Sequence, residues 1–156
     1  MRILLVIAFS MLCPHLLGQQ KDLGPFERAS DVGNPIKAGT TDYDPATQEF
    51  LLEASGVNMW GGRDEFHFAW KKLKGDFILR TRASLMGKGV DPHRKFGWMA
   101  RASLDADAPH ANAVVHGDGL TSLQYRRGKG AVTEQRVAPI TGAHVIQLER
   151  KGNRYI

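Results

Sequence analysis

From residue 26 to residue 156 the chain is punctuated at short intervals by glycine-bearing or Asp-rich turns: GGRD, KGD, KGVDPH, DADAPH, HGDG, RGKG and KGN. No stretch between them sustains a helical period with a cap at each end. The intervening runs are short and apolar or alternating. They predict strands over 38–43, 49–54, 65–71, 76–84, 96–103, 111–115, 121–126, 132–137 and 144–149. Many short strands at such spacing specify an all-β fold, an antiparallel β-sandwich. With 156 residues and 42% hydrophobic content, the chain supports one core rather than two.

Alternation gives each strand two faces. In DFILRTRA, Phe77, Leu79, Thr81 and Ala83 share one face, and Ile78, Arg80 and Arg82 the other. In EFHFAW, Phe66, Phe68 and Trp70 oppose Glu65, His67 and Ala69. In SLQYR, Leu123 and Tyr125 oppose Ser122, Gln124 and Arg126. One apolar and one polar face per strand suits a two-layer sandwich.

The first residues, MRILLVIAFSMLCPHLLGQQ, differ in kind. Arg2 is a short positive region, Ile3 to Leu12 an apolar run too short for a comfortable membrane span, and Gly18 a small residue suited to cleavage. Residues 1–18 read as a signal peptide, 19–25 as a flexible lead-in and 26–156 as the folded domain. The expected location is periplasmic or secreted, with no transmembrane segment in the mature chain. Cys13 raises lipidation as a rival to simple cleavage, but it follows Leu12 rather than a small residue. Cleavage after Gly18 leaves no cysteine, so no disulfide staples the domain.

The formal charge is +5, and the basic residues are scattered rather than clustered and interleaved with aromatics. That argues against a nucleic-acid partner. Sugar hydrolysis with retention needs two carboxyls about 5–5.5 Å apart. Asp64 and Glu65 are neighbours, so a regular strand sends them to opposite faces, and no second acid follows at 66–69. Ser84 and Ser103 lack a nucleophile-elbow context, no His-Glu-x-x-His motif occurs, and no histidine pair has close metal-ligand spacing. Asp105 and Asp107 in DADAPH have calcium-like spacing, but a polar hairpin loop explains them equally well. No cofactor or metal is expected, and the chain is not expected to be an enzyme.

Three stretches carry a family likeness: DEFHFAWKKLKGDFILRTRA at 64–83, FGWMARASLDADAPHANAVVHGDGLTSLQYR at 96–126, and HVIQLERKGNRYI at 144–156. The middle one contains a Gly-x-Met-x-Arg strand (Gly97, Met99, Arg101) and an aromatic strand ending in Tyr-Arg. Together they resemble the concanavalin A-like lectin/glucanase superfamily, and within it the small jelly-roll domains of unknown function, some termed "regulation of enolase"-like. The resemblance implies a jelly roll that continues with further strands beyond residue 156. It also implies a place in the N-terminal part of an exported protein similar to Tol-type biopolymer-transport components. The catalytic acids of the glucanase branch have no counterpart here.

The resulting expectation is a non-catalytic exported module that binds glycan, using Glu65, His67, Arg101, Gln124 and Arg126 on polar strand faces, His116 in a nearby turn, and Trp60 as a loop platform. Trp70 and Trp98 are expected in the core. The alternative is a structural or protein-interaction domain that serves a downstream domain of a larger exported protein. A glycoside hydrolase is the least favoured reading.

Overall fold

The computed structural model describes residues 21–87, 89 and 91–156. The expected signal segment and Cys13 lie outside the described residues. The described chain is all-β and antiparallel, with no helix. Its strands are β1 (Arg28–Val32), β2 (Thr40–Asp44), β3 (Glu49–Glu53), β4 (Phe66–Trp70), β5 (Phe77–Arg82), β6 (Lys95–Arg101), β7 (His110–His116), β8 (Leu120–Arg126), β9 (Glu134–Thr141), β10 (Val145–Lys151) and β11 (Arg154–Tyr155). The main sheet runs β6-β7-β8-β9. A second runs β11-β10-β5, and the pairs β1-β4 and β2-β3 complete the set.

Each strand predicted from alternation is present. Two others were not legible. β1 has the sequence RASDV, which has no clear alternation; antiparallel pairing with β4 defines it, from Arg28 opposite Trp70 to Val32 opposite Phe66. β11 is two residues long and is held where Ile156 and Glu149 exchange backbone hydrogen bonds of 2.8 and 3.0 Å. β9 begins at Glu134, two residues later than predicted, and runs on past Pro139. Proline lacks a backbone donor, and β9 can carry it because it is the edge strand of its sheet.

The second sheet follows its sequence pattern. On β5, Phe77, Leu79 and Thr81 are half-buried, while Ile78, Arg80 and Arg82 are exposed. Their partners on β10 include Leu148, which has no exposed surface, and Ile146. β10 lies against β6 and β7, where Ala111 and Val115 are also buried. Small side chains on β7 let the two sheets approach closely. Gly97 acts within the main sheet: a Cβ there would run into the carbonyl of Ala113 on β7, so the Gly-x-Met-x-Arg strand needs its glycine for backbone proximity.

Two substitutions on adjoining strands test this layering. Leu148→Ala should lower unfolding free energy by about 2–5 kcal/mol, because it opens a cavity between sheets. Ile78→Ala, on the exposed face, should change it by less than about 0.5 kcal/mol. Urea denaturation of both variants measures the contrast.

Candidate functional site

The main sheet departs from the expected pattern in one respect. Its polar face is covered as well as its apolar one. Register places Lys95, Gly97, Met99 and Arg101 of β6 on the same side as His110, Asn112, Val114 and His116 of β7. Ser122, Gln124 and Arg126 of β8 continue that face. Asn112, Gln124, Arg126, Ser122, His110 and His116 are all buried. The loop before β4 helps to cover them: Met59 is buried and lines a cavity of about 100 Å³ together with Met99, Asn112 and Val114.

One end of this face is locked by Asp64. Its carboxylate has no exposed surface and receives Arg126 in a two-point bond, Nη1 to Oδ2 at 2.9 Å and Nη2 to Oδ1 at 2.6 Å. Arg126 also donates Nε to the Ala131 carbonyl, Nη1 to that of Ala108 and Nη2 to that of Gly61, which engages all five of its donors. Arg101 adds Nη1 to Asp64 Oδ2 at 3.1 Å, gives its other nitrogens to the carbonyls of Ser103 and Asp105, and lies over the Phe66 ring. His110 Nδ1 is 3.5 Å from the same Oδ2. Burial alone would raise the Asp64 carboxyl, but His110 and Arg126 outweigh it and hold the group below its ordinary value. The backbone completes the lock, with Asp64 N–H donating to Ala106 and Thr133 N–H to Trp60. The loops before β4, between β6 and β7, and between β8 and β9 therefore converge on one carboxylate. Lys129 sits beside Asp105 and Asp107 at 3.3 and 3.7 Å, so the DADAPH acids belong to a salt-bridged surface loop.

The middle of the face carries a second polar group. Lys95 Nζ donates to Asn58 Oδ1 at 3.0 Å and reaches Gln124 Oε1 at 3.5 Å. That orients the Gln124 amide, whose nitrogen contacts His116 Nε2 at 3.2 Å and Gln135 Oε1 at 3.4 Å. His116 must then accept at Nε2, which makes it the neutral tautomer with its proton on Nδ1. Burial first, and then the Lys95 charge, push its pKa down, in keeping with that tautomer. Burial also lowers Lys95, against the opposing pull of Asp91 and Asp64. Beside this cluster Asn112 Oδ1 and Nδ2, Ser122 Oγ and His116 Nδ1 are buried with no hydrogen-bond partner. Buried polar atoms without partners are uncommon, so several on one face call for an explanation. The cluster reaches solvent at Asn58 and Gln135, which are exposed.

The residues singled out from sequence distribute as follows. Arg101 and Arg126 are sealed around Asp64 and present no free guanidinium at this face. Gln124 is central to the middle cluster. His116 ends β7 as a buried residue, not one in a turn. Trp60 is 39% exposed, and its carbonyl accepts from Thr133, so its loop borders the start of β9 near Gln135. Glu65 turns away from Asp64, and its carboxylate accepts from Val57 N–H at 3.2 Å. His67 is enclosed between Asp31, 2.8 Å from Nδ1, and Thr41, 2.8 Å from Nε2. This Asp-His-hydroxyl order matches a hydrolytic triad, but Thr41 is buried and Gly39 packs so close to His67 that a Cβ there would collide with it. The trio instead fastens the β2-β3 hairpin to the β1-β4 pair. Trp70 and Trp98, expected in the core, are only half-buried, Trp70 donating to Ser30 and Trp98 lying against Phe26.

Asp64 as a lock, Lys95, Asn58, Asn112 and Gln135 were not anticipated from sequence. One signal was available. Apart from Arg126, whose charge Asp64 neutralises, the face of β7 and β8 carries His, Asn, Ser and Gln and no Lys, Asp or Glu, whereas the solvent face of β5 carries two arginines. Neutral planar groups tolerate burial, and long charged chains seldom do. Among the described residues no three His, Cys, Asp or Glu side chains form a metal-holding group, and no helix is long and apolar enough to cross a membrane. No known protein family, curated protein or solved structure matches the chain.

Asp64→Asn should cost about 3–5 kcal/mol, since it leaves Arg126 and Arg101 buried beside an uncharged group. The pH dependence has a definite sign. The native carboxyl is depressed below its ordinary 3.8, so its contribution is complete above that value and fades as pH falls through the lower native value. Urea unfolding followed from neutral pH into the acid range should show a steep loss in the wild type and a shallower one in Asp64→Asn.

Proposed function

We propose that this domain is a non-catalytic glycan-binding module of an exported protein, with the jelly-roll connectivity its sequence resembles. The observation that carries the reading is the middle cluster of the main sheet. Lys95, Asn58, Gln124, His116 and Gln135 form a connected polar network that opens at Asn58 and Gln135, and unpartnered Asn112 and Ser122 lie beside it. Sugar hydroxyls both donate and accept, and side-chain amides do the same, which makes the chemistries complementary. The adjoining cavity of about 100 Å³ has the volume of roughly three waters and is too small for a sugar ring. A glycan would therefore lie along the rim, with a hydroxyl group directed inward and the Trp60 loop beside it. The separation of Asp64 and Glu65 into different networks supports a non-catalytic role.

One observation favours the alternative, a structural or protein-interaction domain. β9 is an edge strand with Val137 and Ile140 exposed, and an apolar edge invites a partner strand.

Affinity electrophoresis against neutral β-glucans, xylan and mannan separates the two. The glycan reading predicts retardation by at least one polymer. Retardation should be lost in Trp60→Ala and weakened about tenfold in Gln135→Ala, a change worth about 1.4 kcal/mol, with unchanged unfolding midpoints. Binding should also weaken as pH falls below 6.5, because a protonated His116 can no longer accept from Gln124 and its native pKa lies under that value. Absence of retardation by every polymer overturns the reading.

A further inference from the structure

Away from the polar cluster, a groove of about 910 Å³ lies between the opposite face of the main sheet and the β10-β11 turn. Its walls include Leu123, Tyr125, Arg127 and Arg136 on one side and Arg150, Asn153, Arg154 and Tyr155 on the other. Arg150 continues the inward row of Ile146 and Leu148, so a cation stands where the sheet pattern calls for an aliphatic residue. Arg127 is paired with Glu134 at 3.1 Å and lies over the Tyr125 ring. Among the described residues no carboxylate lies within ion-pair distance of Arg136, Arg150 or Arg154.

We propose that this groove is a second binding site, and that its occupant is a carboxylate-bearing polysaccharide of the polyuronate class. Three arginines without acidic partners face a concavity whose volume suits an extended ligand. Guanidinium groups match carboxylates geometrically through paired hydrogen bonds. Arginine walls also make a poor seat for an apolar strand, because covering them would strip charge of water without compensation. Single-stranded nucleic acid fits less well. It needs open aromatic faces for base stacking, and Arg127 already covers one face of Tyr125. The site is distinct from the polar cluster, and only the choice of a polysaccharide rests on the glycan reading above.

Affinity electrophoresis in polygalacturonate, with neutral glucan and single-stranded DNA as parallel arms, tests the inference. Polygalacturonate should retard the wild type, rising salt should weaken the effect, and Arg136→Ala/Arg154→Ala should weaken it at least about tenfold, the equivalent of one charge-assisted hydrogen bond. Retardation by neutral glucan should be unaffected in that variant. Absence of polygalacturonate retardation, equal retardation by DNA, or retardation indifferent to the double substitution overturns the proposal. Neutral-glucan binding that is lost in Trp60→Ala while polygalacturonate fails leaves the glycan reading standing and removes only this site. Circular dichroism of the double variant confirms that its fold is intact.

Discussion

A carboxylate with no solvent access, held between two guanidinium groups, organises the end of the main sheet. Asp64 enters from the loop before β4, Arg101 from the end of β6 and Arg126 from the end of β8. None of the three is tolerable there alone, since an isolated buried charge is costly and only pairing offsets it. Around them the carbonyls of Gly61, Ser103, Asp105, Ala108 and Ala131 accept further guanidinium hydrogens. Three loops are thereby fixed by side-chain electrostatics in a region without regular structure of its own. Gly62 contributes because its backbone packs against the Gly130 carbonyl, where a side chain would collide.

The lock has a consequence for function. It draws in the two arginines that a sequence reader would assign to a ligand, and it closes one end of the polar face. What remains accessible is the stretch from Lys95 and Asn58 to Gln135, bordered by the Trp60 loop. Because that loop is anchored through Thr133 and Asp64, the rim is held by the same network that seals the interior. Positioning polar groups on supported elements lowers the ordering cost of binding. A second, arginine-lined concavity lies on the other face.

Strand alternation made the architecture readable. The pattern in DFILRTRA translates directly into the half-buried and exposed faces of β5. The same reasoning misplaced the polar face of the main sheet, because alternation says which residues share a side and not whether a loop will cover it. β1 was illegible because RASDV acquires its strand character from β4. Asp64 was seen as an acid facing away from Glu65, and the structure has them in separate networks. Its partners lie 37 and 62 residues further along, and no local pattern encodes such a meeting. His67 likewise finds Asp31 and Thr41 at distances of 36 and 26 residues.

A double-mutant cycle on Asp64→Asn and Arg126→Met, read by urea unfolding at neutral pH, addresses the lock most directly. If the pair is mutually dependent, each single change is severely destabilising and the double change costs far less than their sum, with an interaction energy of about 1–3 kcal/mol or more. Costs that add within about 0.5 kcal/mol would mean that the two residues act independently, and that the loops are held by something other than this carboxylate.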